Sequence, residues 1–461
     1  MGGSVLSRLI AVSNRVAAPA GGKAAGGLAV GILAALRQSG GIWFGWGGKT
    51  CQGEPSDPKL ERRGEITFAT IDIDEAEFDA YYNGYCNGTL WPLLHYMLGI
   101  FTYDREQHEA YDRVNQLFAR KLRPLLRGDD RIWVHDYHLI PLAQELRRSG
   151  IEQPIGFFLH VPFPAYDVVR ALPGFRRLLR ALAQYDVVGF QTGQDCENFL
   201  EGLRATGLGG ERGLDGRIVA LERRILVGAF PIGIDVEEAE DQAKEALSSA
   251  AVQRLVGDLG KRELVIGVDR LDYSKGLPDR FKAFQTLLER HPDSHRQLVF
   301  LQIASPTRTG VRAYQEIRHE LEQSAGHING RFAQPDWTPI RYINRGFSRK
   351  ILMGYFRVAR IGLVTPIRDG MNLVAKEYVA AQDPANPGVL VLSRMAGAAT
   401  ELGEGALLIN PYDHIGVADA LLRAAEMPLE ERRERYDGMI QALRGNDIHA
   451  WRKNFVDALG E

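Results

Sequence analysis

The chain has 461 residues, 45% of them hydrophobic and 25% charged, with a formal net charge of -2. That length exceeds what a single hydrophobic core serves, so two domains are expected. The near-balanced charge gives no reason to expect nucleic acid or a membrane surface as a partner, and an anionic ligand has to be held by local cations.

Cys51, Cys86 and Cys196 are odd in number and far apart, with neither a metal nor a disulfide spacing, which fits a reduced, cytoplasmic setting. The N-terminal apolar stretch is too short and too polar-flanked for a signal peptide. No uninterrupted apolar run approaches the ~20 residues of a membrane helix.

In chain order, short β-branched runs at residues 8–13, 131–135, 155–161, 187–191, 264–268, 298–303, 361–365 and 389–392 predict strands. Amphipathic stretches at 27–38, 111–126, 139–148 and 277–291 predict helices between them. Such alternation implies parallel sheets of βαβ units, closed as a barrel or open as two sheets. Residues 217–231 read as consecutive strands without a helix, which breaks a barrel's rhythm. Residues 232–260 read as a polar, Ala/Glu-rich connector, so two sheets are expected, with a boundary near 231–236. The amphipathic segment 447–459 is free to pack back on the first of them.

Ligands of open parallel sheets bind beyond the carboxyl ends of the strands, so the residues after each run are where chemistry is sought. Ser13-Asn14-Arg15 reads as the first such turn, followed by a glycine-rich loop at 21–27 and a helix from Leu28, where backbone amides and a helix N-terminus suit an anion. The loop is neither a spaced dinucleotide fingerprint nor a P-loop. His135-Asp136-Tyr137-His138 offers two histidines beside a carboxylate, but no third ligand set accompanies them. A carboxylate there suits vicinal sugar hydroxyls instead. His160, heading His160-Val161-Pro162-Phe163-Pro164, is either a buried structural histidine or a site residue. Arg270 and Lys275 share one loop after a strand, where two cations neutralise a diphosphate. Arg308, in the turn at 305–308, is a second candidate anion clamp. Residues 366–377 run from a strand end into a helix, placing Asp369 in the loop and Glu377 two turns into the helix. One acid then suits a sugar ring and the other a ribose, with the amides between aimed at phosphate.

The motifs GGLAVG, WFGW, LWPLLHY, WVHDYHL, GFFLHVPFP, GFQT, PIGID, DRLDYSKG and LVTPIRDGMNLVAKEYVAAQ run along nearly the whole chain. By these the chain resembles the trehalose-6-phosphate synthases, retaining glycosyltransferases of family 20. The resemblance implies an α/β GT-B fold, two facing Rossmann-like domains with the active site in the cleft between them. Residues 1–232 would take the acceptor and 233–445 the nucleotide-sugar donor, with a final helix, 446–461, packing back on the first domain.

By the same resemblance, glucose 6-phosphate is held by Arg15, Trp46, Tyr82, Trp91, Asp136 and Arg308, with Trp43 close to Trp46 in one motif. The donor, UDP-glucose, is held by Gly26, Gly27, His160, Arg270, Lys275, Phe347, Asp369, Gly370, Met371, Asn372, Leu373, Val374 and Glu377. Catalysis falls to Asp136, His160, Arg270, Lys275 and Asp369, through a front-face transfer with retention and no protein nucleophile. The product is α,α-trehalose 6-phosphate. Neither a metal nor a cofactor is implied, and a homo-oligomer, dimer or tetramer, is expected. The Arg308 loop, SPTRTG, departs from the family pattern but keeps its arginine. Residues 204–217 match nothing firmly and are expected at a variable surface.

Overall fold

The computed structural model describes residues 8–16, 27–307 and 312–460. The chain divides into two compact units, Met1–Ile232 with Ile448–Glu461, and Gly233–Asp447.

The first unit is built on β1 (Leu9–Arg15), β2 (Gly41–Cys51), β3 (Lys59–Arg63), β4 (Ile66–Asp74), β5 (Arg131–His135), β6 (Ile155–Phe158), β7 (Val187–Phe190), β8 (Gly209–Arg212), β9 (Ile218–Ala220) and β10 (Arg223–Ala229). They form one ten-stranded sheet in the order β3-β4-β2-β1-β5-β6-β7-β10-β9-β8. Pairing is parallel from β4 to β10 and antiparallel at both margins, β3 on β4 and β8-β9-β10. Strand order reverses at β1, flanked by β2 on one side and β5 on the other.

The apolar runs find their strands, with two differences that have physical causes. Ser13-Asn14-Arg15 is not a turn but the end of β1. Ser13 and Asn14 stay inside because they are satisfied there: Trp43 Nε1–H donates to Ser13 Oγ at 2.8 Å and the Tyr81 hydroxyl donates to Asn14 Oδ1 at 2.8 Å. The strands β2 to β4 come from a region where no run was read, because Gly and Lys dilute β2 and β3 is exposed along its whole length. Residues 204–217 close the helix Gly193–Ala205 and supply β8, an edge strand.

The last helix, Ile448–Gly460, belongs to this first unit. Its Trp451 and Phe455 lie 4.9 and 4.7 Å from the Trp133 ring. Phe455 fits because Gly156 and Gly189 of β6 and β7 leave the room; a Cβ on either would stand 2.7 Å from its ring.

The second unit holds β11 (Glu263–Arg270), β12 (Leu298–Ser305), β13 (Ile340–Ile343), β14 (Ile361–Val364), β15 (Val389–Ser393) and β16 (Leu407–Ile409). The order β13-β12-β11-β14-β15-β16 is all parallel. This is the doubly wound order of a nucleotide-binding sheet, reversing between β11 and β14. Its central strands β14 and β15 are buried end to end, and β11 and β12 along their interiors, because helices cover both faces. Residues 232–260 are not a bare connector. They form two helices of this unit, Val236–Ala246 and Ala250–Leu259, whose N-caps Asp235 and Ser249 accept from backbone amides three residues on. Both pack on the helix Arg349–Val358. Among the described residues, no helix is long and apolar enough to cross a membrane.

Candidate active site

In each unit several of the sequence-selected residues lie where the strand order reverses, the place at which doubly wound sheets bind ligands. In the first unit Arg15 ends β1 and Asp136 follows β5 directly. The Arg15 guanidinium lies 5.5 Å from the centre of the Trp46 ring. From there an aromatic file runs inward: Trp46 to Phe78 at 4.5 Å, Phe78 to Tyr82 at 5.1 Å, Tyr82 to His138 at 5.7 Å and His138 to Tyr137 at 3.9 Å. Trp91 closes the file 5.7 Å from Tyr137. Tyr82 stands in the π-helical stretch Asp79–Leu90, a wide turn that recurs at functional sites. Trp43, by contrast, is core, with its indole N–H taken by Ser13. A sugar has apolar faces and a polar rim, and this file with its flanking Arg15 and Asp136 offers a matching surface.

Asp136 has φ 75° and ψ 165°, a backbone region that non-glycine residues rarely occupy. Strain of this kind costs about 1–3 kcal/mol and persists where surrounding contacts impose it. Here the Asp136 amide donates to the Phe158 carbonyl at 2.8 Å, and the His160 amide donates to Asp136 Oδ1 at 3.3 Å. The pair His135 and His138 does not gather a metal-ligand set, for His135 is buried against His160 while the His138 ring stacks between Tyr82 and Tyr137. No group of three His, Cys, Asp or Glu residues suited to a metal occurs among the described residues.

In the second unit Arg270 is the exposed last residue of β11, and Lys275 ends the short turn Tyr273–Lys275. Lys275 Nζ donates to Asp369 Oδ2 at 2.5 Å, and Asn372 Nδ2 donates to the same oxygen at 3.0 Å. Asn372, at φ 79°, also caps the helix Leu373–Ala381, its Oδ1 accepting from the Ala375 amide. The amides of the first helical turn, at Leu373 and Val374, therefore open onto the Asp369-Gly370-Met371-Asn372 loop, an anion-favouring arrangement. Glu377 is the fifth residue of that helix, one turn in and not two. Its carboxyl accepts from Arg349 Nε at 3.0 Å, and burial pushes it upward against the pull of that guanidinium. Phe347, two residues before Arg349, lies under the Arg345 guanidinium at 4.9 Å.

The two cation-bearing loops are stitched together by backbone. The amide of Ile367 donates to the Ser274 carbonyl at 2.8 Å. Gly276, at φ 63°, brings its Cα so close that a Cβ would stand 2.6 Å from the Thr365 carbonyl oxygen. Gly276→Ala is expected to cost about 1–2 kcal/mol from left-handed backbone alone, read as a lower urea midpoint, together with weaker binding of a nucleoside diphosphate.

Beneath this loop lies a polar cluster that sequence reasoning missed. The fully buried Arg280 donates to Asp269 Oδ2 at 2.6 Å, Gln302 Oε1 at 2.8 Å and Thr365 Oγ1 at 2.8 Å, joining β11, β12 and the end of β14. Arg349 was missed as well, since a lone arginine near a helix start carries no local signal. Gly27 opens the helix Gly27–Ser39. Gly26 and Arg308 lie outside the described residues.

Two doubly wound α/β units, each with cations and carboxylates at its reversal point, constitute the architecture of a GT-B glycosyltransferase. The family model of glycosyltransferase family 20 matches residues 17–461, and the chain belongs to that family. It is 50% identical to the trehalose-6-phosphate synthase of Klebsiella pneumoniae over 98% of this chain and 95% of that one. Among solved structures it is similar to an α,α-trehalose-phosphate synthase (UDP-forming) from Burkholderia xenovorans in complex with glucose-6-phosphate. The identity is 50%, the coverage 98% of this chain and 100% of that one, and the TM-score 0.95. A structure from E. coli bound with UDP-2-fluoro glucose is 48% identical over 98% of this chain and 99% of that one, with a TM-score of 0.93.

Proposed function

We propose that the protein transfers glucose from UDP-glucose to glucose 6-phosphate, giving α,α-trehalose 6-phosphate and UDP. The full-length likeness to synthases that hold glucose-6-phosphate or a UDP sugar carries this reading. The acceptor is assigned to Arg15, Trp46, Tyr82, Trp91 and Asp136 in the first unit, with Arg308 as a second phosphate cation. The donor diphosphate is assigned to Arg270, Lys275 and the amides following Asn372. Glu377 and Phe347 are assigned to the ribose and base, and His160 and Asp369 to the transferred glucose.

The transfer proceeds with retention on one face of the sugar. The bond from the anomeric carbon to the diphosphate breaks while the acceptor's O1 attacks, and the O1 proton passes to the departing diphosphate oxygen. A retaining glycosidase instead presents a free carboxylate nucleophile to the anomeric carbon. Asp369 accepts from both Lys275 and Asn372, which makes it an anchor for hydroxyls and a poor nucleophile. The protein's contribution is then charge stabilisation and orientation, with Arg270 and Lys275 facing the leaving group. Cys51, Cys86 and Cys196 are thiols, in keeping with the cytoplasmic setting assigned here. The homo-oligomer expected from the resemblance is measurable by sedimentation.

Initial rates with UDP-, ADP- and GDP-glucose, against glucose 6-phosphate and free glucose, test the reading. The expected result is UDP release only with the phosphorylated acceptor, and a product whose anomeric protons are both α by NMR. Equal rates with free glucose, or an inverted linkage, would overturn it.

A further inference from the structure

The motif WVHDYHL carries a histidine for which the proposed reaction has no use. His135, the last residue of β5, is fully buried. Its Nδ1 lies 3.2 Å from Nε2 of His160, which stands just beyond the neighbouring strand β6. Among the described residues His135 Nε2 has no hydrogen-bond partner, and neither have the buried indole nitrogens of Trp133 and Trp451. The three rings make one packet: Trp133 is 4.5 Å from His135 and 4.9 Å from Trp451, and Trp451 is 6.4 Å from His135 and 6.1 Å from His160. The helix Ile448–Gly460 thus roofs the histidine pair with an indole.

A hydrogen bond between two imidazole nitrogens needs one proton on the line between them. Burial pushes His135 well below the ordinary histidine range and His160 down to about 3, so both rings are neutral near pH 7. Two arrangements remain. If His160 donates from Nε2, His135 carries its own proton on Nε2, an N–H with no acceptor among the described residues. It would be the third such N–H in a packet that already holds two indole donors. If His135 donates from Nδ1, its Nε2 is a bare lone pair among indole N–H dipoles, and no further donor is stranded. Buried N–H groups without an acceptor are the rarer defect in proteins, and like dipoles in a dry packet repel.

We infer that His135 is a positioning residue that holds His160 in its Nδ1–H tautomer, so that His160 meets the transferred sugar as a hydrogen-bond donor. The inference rests on the assignment of His160 to the transferred glucose. With Nε2 occupied by His135, the partly exposed His160 offers a ligand only its Nδ1–H. It donates to a hydroxyl oxygen and has no basic nitrogen left to take a proton. That is consistent with the proposed transfer, in which the acceptor's proton passes to the leaving diphosphate. Asp136 ties the two strand ends together, its strained backbone donating to the Phe158 carbonyl and its Oδ1 accepting from the His160 amide.

The test is nitrogen NMR of the full-length protein labelled with 15N-histidine, the two rings assigned by His135→Asn and His160→Asn. The expected result is protonation of both rings at Nδ1; a His160 protonated at Nε2 overturns the inference. Kinetics supply a second arm. His135→Leu is expected to lower kcat/KM for the donor by about 10–100-fold, the scale of outer partners that orient a histidine elsewhere, with KM for glucose 6-phosphate unchanged. His135→Asn, whose amide N–H replaces that of Nδ1, should recover most of the loss. Equal losses in both variants would reduce His135 to packing and overturn its positioning role. If His160→Ala left donor kinetics unaltered, the assignment of His160 to the sugar would fail, whichever tautomer the spectra show.

Discussion

Lys275→Met is expected to lower kcat/KM for UDP-glucose by about 1,000-fold, on the scale found when a charge-stabilising donor is removed from a reaction site. Two effects combine in that figure. The departing diphosphate loses a cation, and Asp369 loses the ammonium that neutralises it at 2.5 Å. An unneutralised carboxylate beside the diphosphate then repels it, so the variant is worse than the loss of one contact. Lys275→Met/Asp369→Asn separates the two: it should bind UDP more tightly than the single variant while kcat stays low. KM for glucose 6-phosphate should stay within a few-fold, because every group assigned to the acceptor except Arg308 belongs to the other unit. Initial rates and calorimetric titration with UDP measure both. Near-normal donor kinetics in Lys275→Met would remove this lysine from the diphosphate.

Arg280→Leu has the largest expected effect on stability. Breaking a buried ion pair from one side costs about 3–5 kcal/mol, since the other charge remains buried. Asp269 would be that charge, with a side chain only 3% exposed and Lys275 as the nearby cation that remains. Burial already pushes the Asp269 carboxyl upward, against Arg280 and Lys275 pulling it down; loss of the guanidinium moves it further up. A carboxyl raised in the folded state binds more protons there than in the unfolded chain. The contribution of Asp269 to the variant's stability is therefore greatest at low pH and falls as pH rises from the ordinary carboxylate range, near ~4, through the folded value. Urea midpoints at pH 5 and pH 8 should differ more in Arg280→Leu than in the parent. The double variant Asp269→Leu/Arg280→Leu should lose that difference and be less damaged than the single.

Both predictions turn on contacts between residues far apart in the chain. Lys275 and Asp369 are 94 residues apart, and Arg280 and Thr365 are 85 apart. Strand–helix alternation, two domains and the cations after strand ends were legible, because periodicity and turn residues act over a few neighbours. The motif resemblance named each candidate side chain. What no local pattern carries is which candidates share an oxygen.

The sequence by itself determined that the protein is a two-sheet α/β chain with a diphosphate-suited loop at Arg270 and Lys275, and the motifs placed it in its family. It did not reveal β2 to β4, whose glycines and exposed edge lack a buried strand's signature, and it read β1 as ending before its satisfied polar residues. Tertiary structure alone decided that Trp46 and not Trp43 meets Arg15, that Arg349 pairs with Glu377, and that His135 lies behind His160. The reason is physical. Backbone preference and burial pattern are written locally, whereas the partner of a buried polar group is chosen by whichever distant strand the sheet brings beside it.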